Sequence, residues 1–253
     1  MLWFNFFILF LSLGTFALKA RAENDVKANI SMTVPSLDRA WENRENKEEG
    51  KSILKFLENI HAIPENFDLD WRISRLVYFI GNFSSEEDLN GDERTKIFEL
   101  GYKAGEKAKN EQPDRVEGYY WYAINLGTYS LSVGLFKALN TASDARDALV
   151  EASQKDPNYH WGGAYRILGR YYQDLPSGIS FGDKKKAAQY FKKAIEISPN
   201  FRLNTVYLAE LESDKDLKLK LLEEAKKKPN MDGAVEEERY QKKIELDLEK
   251  LKN

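Results

Sequence analysis

The sequence has no cysteine among its 253 residues. Such a chain closes no disulfide, offers no thiolate to a metal or a substrate, and takes no thioether-linked lipid. Histidine is nearly absent too, with only His61 and His160. Seven prolines and fifteen glycines are too few for a disordered or fibrous chain. The net charge is −3, which gives no electrostatic case for nucleic acid, whose binding needs a clustered basic face. Beyond residue 18 there is no second apolar run of spanning length. Stability must therefore come from packing, and chemistry from something other than thiols or histidine clusters.

The one long apolar run is at the start. Residues 2–18, LWFNFFILFLSLGTFAL, carry no charge, and Ala20 and Ala22 follow in A-x-A spacing. This pattern reads as a secretory signal over 1–22, cut after Ala22. No lysine or arginine precedes the run, and 17 residues approach the length of a short span. An uncleaved inner-membrane anchor is the competing reading. Cleavage predicts a periplasmic protein that touches the membrane only through this segment if it is retained. Residues 23–35 are polar and unpatterned, and are expected to form a flexible tether before a domain spanning 36–253.

That domain writes one pattern twice. Ala145, Leu149, Ala152 and Pro157 recur 42 residues on as Ala187, Phe191, Ala194 and Pro199, and Leu126-Gly127 recurs as Leu168-Gly169. A small, a large and a small residue at i, i+4 and i+7 lie on one helix face. Small side chains let two helices approach closely, the large one fills the gap, and proline stops the helix. This is tetratricopeptide logic, in which helix pairs stack because one pair cannot bury its own apolar face. Weaker copies flank the pair: Trp71 and Tyr78 at helix-A spacing, and Gly101, Gly105, Ala108 and Pro113 at helix-B spacing. Phe56 and Pro64 repeat the eight-residue spacing of Phe191 and Pro199. The fold expected is all-α, about four antiparallel helix pairs with a capping helix carrying Tyr240, Ile244, Leu248 and Leu251 on one stripe.

The middle of the chain says more. Trp71-Arg72, LGYKAG at 100–105, YYWYAINLG at 119–127, GGAYRILGRYY at 162–172 with Leu175-Pro176, GDKKKAA at 182–188 and YLAE at 207–210 follow in order. This succession resembles the T-component (TatT) family of TRAP-type transporter systems over roughly residues 68–210. A related pattern occurs in eukaryotic regulators of microtubule dynamics, against which the signal-like N-terminus argues. The first resemblance implies a periplasmic repeat protein that docks the solute-binding protein of a TRAP-type transporter for organic acids, in some cases as a homo-oligomer around a pore. Its members are commonly lipoproteins, and this chain has no cysteine to carry the lipid.

Candidate chemistry is sparse. No G-x-S-x-G, H-E-x-x-H or Walker loop is present, no cofactor motif is found, and no catalytic role is expected. Asp88, Asn90, Asp92 and Glu99 fall at positions 1, 3, 5 and 12 of a calcium loop. Glu93, however, stands where such a loop needs glycine, and an acidic connection capping a helix near Glu93 explains the residues as well. The segment 182–186, GDKKK, reads as an N-cap by Asp183 before a solvated lysine face. His160 sits in an expected interhelix turn, as a rim contact or a plain turn residue. On the helix-A faces, Tyr122 and Leu126, like Tyr165, Leu168 and Tyr172, belong to the core. Trp121, Asn125, Arg166 and Arg170 face another way and are expected to line a partner or ligand groove. The competing reading pairs the two arginines with carboxylates such as Glu196 or Glu210. Four functions stand open at this point: a transporter accessory protein, a stand-alone periplasmic scaffold, a cytoskeleton-related repeat protein, and, least supported, an enzyme.

Overall fold

The structure, a computed structural model, describes residues 30–252. The proposed signal segment lies outside the described residues. Among those described there are eleven helices and no strand. They are α1 (Val34–Glu42), α2 (Lys47–Glu58), α3 (Phe67–Phe83), α4 (Gly91–Glu111), α5 (Val116–Val133), α6 (Leu135–Lys155), α7 (Gly163–Asp174), α8 (Lys184–Ile197), α9 (Arg202–Leu211), α10 (Lys215–Lys227) and α11 (Ala234–Lys252). The four expected pairs are α3/α4, α5/α6, α7/α8 and α9/α10, and α11 is the cap.

Helix starts follow from local chemistry. Asn46, Asn66, Asn90, Asp183 and Asp214 each accept hydrogen bonds from first-turn amides that have no partner inside the helix. Asn90 and Glu93 form a reciprocal capping box. This removes the calcium loop: α4 is helical from Gly91, so residues 88–99 cannot wrap an ion, and the cap is Asn90 rather than Asp92. Among the described residues no cluster of acids or histidines could hold a metal. Asp183 caps α8 as expected, accepting from the amides of Lys185 and Lys186 at 2.8 and 3.1 Å.

The repeated positions do equivalent work. Ala145, Leu149 and Ala152 are buried on α6, and Ala187, Phe191 and Ala194 on α8. Leu126 and Leu168 lie in one continuous core. Close approach is most demanding between α4 and α5. A Cβ on Gly105 would meet the Tyr122 backbone nitrogen at 2.6 Å, and one on Gly118 would meet the Lys109 nitrogen at 2.4 Å.

Two expectations change at the N-terminus. Of the tether expected over 23–35, residues 23–29 lie outside the described residues, and in the remainder Ile30 and Met32 pack against the core and α1 begins at Val34. α1 and α2 also extend the array by a fifth unit, both lying against α3. The array then curls until its ends meet. Arg44, after α1, donates from Nε and Nη2 to Glu236 Oε1 on α11 at 3.0 and 2.9 Å. Arg239 on α11 donates to the Asn82 carbonyl at 2.7 Å, its guanidinium 4.0 Å from the Phe83 ring centroid.

Two outcomes follow. Leu149→Ala empties a fully buried site in the central core and should cost about 2–5 kcal/mol, read as a lower denaturant midpoint with an unchanged slope. Asp70, on α3, is fully buried and neither carboxylate oxygen has a hydrogen-bond partner. Burial first, then the neighbouring Glu111, push its pKa from 3.8 up to about 7. The native state thus holds a proton that the unfolded chain releases, so this site favours folding below pH ~4 and that advantage is lost as pH rises through ~7. Asp70→Asn should flatten that slope and raise stability at pH 8, as measured by urea unfolding across pH.

Candidate functional site

The helix-A elements α3, α5, α7 and α9 form the inner wall of the curl, and α1 and α11 face each other across it. At its centre lies the α6–α7 connection. His160 and Trp161, with φ of 47° and 57°, and Gly162, with φ of 73°, are consecutive left-handed residues. Such a run is costly for the two non-glycine residues, and surrounding bonds must hold it. Arg166 supplies them. Its Nη1 donates to the carbonyls of His160 and Trp161 at 3.2 and 3.3 Å and to Asn204 Oδ1 at 3.0 Å. Asn204 is in turn fixed by donating to the Ala194 and Trp161 carbonyls at 2.9 and 3.2 Å.

Around this turn the wall is aromatic. The His160 ring stacks on Tyr120 at 5.1 Å and meets Trp121 edge-on at 4.8 Å. Trp121 also touches Tyr78 and Trp41, at 5.6 and 6.3 Å. Tyr78, Tyr207 and Tyr240 are half-buried on the same inner surface, and the Tyr240 hydroxyl donates to Asp232 Oδ2 at 2.9 Å. Desolvation lowers the His160 pKa to about 3, with the positive charges of Arg166, Arg75 and Arg44 adding to it. Desolvation likewise raises Tyr120 to about 12. At neutral pH His160 is an uncharged ring in a stack and supplies no proton.

The four residues expected to line a groove separate here. Trp121 is 1% exposed, and its Nε1 donates to the Tyr159 hydroxyl at 2.9 Å. Asn125 is fully buried and ties three helices, donating to the Ser74 carbonyl and Oγ at 2.8 and 2.9 Å beside Gly101. Neither offers a surface, because the face that looks mixed on one helix is covered by α3. Arg166 is also buried, yet no ion pair joins it to a carboxylate among the described residues; carbonyls, Asn204 Oδ1 and the Phe201 ring, 4.6 Å from its guanidinium, surround it. Arg170 alone keeps exposed surface. It pairs with Glu210 at 2.5 Å and Asp174 at 2.8 Å, and Lys243 joins Glu210 at 2.5 Å. The carboxylate pairing weighed for the arginines thus holds for Arg170 with Glu210 and not for Arg166. In the sequence Tyr78 and Tyr240 read as repeat and cap positions and Tyr207 as part of YLAE, none with a site role, while Arg44 and Arg75 carry no signal, because these residues meet through superhelical closure.

An array of helix pairs curled round an aromatic inner wall defines a helical-repeat protein of the tetratricopeptide-like class. A family model described as regulator of microtubule dynamics protein 1-3 matches residues 34–175, more than half of the chain, and the protein belongs to that family. The match falls on the family whose pattern the sequence analysis placed second. No curated protein matches. Among solved structures, one titled "Crystal structure of MamA" aligns at 19% identity with a TM-score of 0.42, covering 83% of this chain and 94% of that one.

His160 should therefore not titrate between pH 5 and 8. Because its folded pKa lies below the unfolded value of 6.5, the stability it contributes is present above ~6.5 and lost as pH falls towards ~3. Imidazole carbon shifts followed by NMR, assigned through a His61→Gln variant, would report this.

Proposed function

We propose that this protein is a non-catalytic recognition scaffold whose inner wall receives a ligand or partner segment bearing a carboxylate. The observation that carries the reading is Arg166, a buried cation with only neutral acceptors, set among tyrosines at the centre of the curl. A carboxylate brought to that wall would meet a positive field in a low-dielectric setting, where a charge-assisted bond is strong. Organic-acid solutes and their binding proteins, the partners implied by the transporter resemblance, have this chemistry. In that setting the protein acts in the periplasm, beside a TRAP-type solute-binding protein. Dicarboxylates at millimolar concentration should raise the melting temperature of the wild-type chain and leave that of a folded Arg166→Gln variant unmoved. Crosslinking in intact cells should then recover a solute-binding protein. An unchanged melting temperature with every carboxylate tried would remove the reading.

The family match supports a second reading, a cytoskeleton-related repeat protein. Its test is co-pelleting with polymerised microtubules. Pelleting that saturates, and persists in Arg166→Gln, would favour it over the first.

A further inference from the structure

The connection between α5 and α6 differs chemically from the other interhelix connections. Those read NREN, NIHAIPEN, SSEEDLN, QPDR, DPNYHWG, LPSGISFGD, SPNF, ESD and KPNMDG, with acids, amides and prolines where water must be met. Between α5 and α6 there is one residue, Gly134, at φ 139°. Nothing lies within 4 Å of where its Cβ would be, so glycine is needed for the backbone conformation alone. The residues around it are apolar and bare: Leu131 is 68% exposed, Val133 51%, Leu135 64% and Phe136 86%.

The tip projects. Arg146, well along α6, sits 4.8 Å from the Phe181 ring in the loop that follows α7. From Leu135 to Arg146 the helix rises about 16 Å, so α6 continues beyond the point where Phe181 meets it. Ile179, in that same loop and at the same pole, is 74% exposed. Aliphatic and phenyl groups held out in water on a rigid stalk call for a cover. From the four exposed fractions the patch is on the order of 500 Å², below the ~800 Å² a side of a stable protein–protein interface. A patch of that size at a helix–helix tip suits shallow entry into a soft medium better than a stable protein–protein interface.

Electrostatics point the same way. No acidic residue lies between Glu117 and Asp144. The first amides of α6 have no side-chain cap, and Lys137 stands in that first turn. An uncapped helix start with a lysine complements a phosphate. Ser130 is buried against Thr141 Oγ1 at 2.7 Å, and Ser132 Oγ donates to the Tyr129 carbonyl at 2.7 Å, so the two serines among the apolar residues have their partners within the protein. Among the described residues no helix can cross a membrane. We infer that the α5–α6 tip is a shallow phospholipid-bilayer insertion element, Leu131, Val133, Leu135 and Phe136 entering the acyl boundary while Lys137 and the α6 amides meet headgroup phosphates. Glu86, Glu87 and Asp88 in the α3–α4 connection, at the same pole, oppose a strongly anionic surface. Phosphatidylcholine is thus sufficient and binding depends little on salt.

The cysteine-free sequence makes the test direct. Phe136→Cys in the full chain gives a single site for an environment-sensitive nitrobenzoxadiazole label, and Lys220→Cys gives a control far along the array. With phosphatidylcholine vesicles the label at 136 should shift to the blue, brighten several-fold and be quenched by lipid-borne spin labels, while the control stays aqueous. Leu131→Glu with Val133→Glu should abolish the shift at 136 with helical dichroism unchanged. The inference is overturned if the label at 136 stays aqueous while the chain co-floats with vesicles, or if the chain does not bind at all. It is equally overturned if the shift appears without lipid as protein concentration rises, which would assign the tip to a second copy or a protein partner.

Discussion

The α4–α5 contact sets the geometry on which the rest of the molecule depends. Gly105 lies against the backbone of Tyr122, and Gly118 against the backbone of Lys109, with no room for a Cβ on either. Two helices can touch backbone to backbone only where one of them has no side chain. That approach brings Asn125 within reach of Ser74, and Ser74 Oγ donates to the Gly101 carbonyl at 2.7 Å, so three helices share one buried polar knot. Such a knot tolerates little slippage, since every displaced member leaves a buried group without a partner. This knot holds the position of α5, and with it Tyr120 and Trp121.

From that fixed centre the curl propagates by nearest-neighbour packing and closes with few polar contacts. Arg44 with Glu236, and Arg239 with Asn82 and Phe83, join segments roughly 150–190 residues apart in the chain. The inner wall gains its character from this closure. Tyr78 lies on α3 and Tyr240 on the last helix, yet Tyr78 contributes to the electrostatic surroundings of Tyr240. The left-handed turn at His160–Gly162 is held against that wall by Arg166, so a strained backbone, a stacked neutral imidazole and a cation without a carboxylate occur together. Strain of this kind persists only where neighbouring bonds over-determine it.

Much of the fold was legible in the residues. The period shared by Ala145 and Ala187, Leu149 and Phe191, Leu126 and Leu168 identified helix pairs because each position obeys a local rule: small where helices meet, large where they leave a gap. Asp183 as a cap was legible for the same reason. The site was far less legible. Trp121 and Asn125 sit on a face that looks outward on an isolated helix, and α3, Trp41 of α1 and the α6–α7 turn together cover it. The acidic run near Asp88 has the oxygen spacing of an ion loop, but a helix beginning at Gly91 points those side chains apart. Ile30 and Met32 gave no periodic signal, because an extended segment packs through single contacts.

By itself the sequence determined the helix content, the pairing and the stacking, since these depend on side-chain volume and amide capping within a few residues. It also determined that no thiol chemistry and no disulfide would take part. Only the tertiary structure decided which polar faces became interior, that Arg170 would find Glu210 while Arg166 would find carbonyls, Asn204 and the Phe201 ring, and that Tyr78 would come near enough to Tyr240 to affect its surroundings. Those outcomes depend on the small rotation between successive pairs, summed over the array. No local stretch of residues encodes that sum, because it becomes a contact only when the last helix reaches the first.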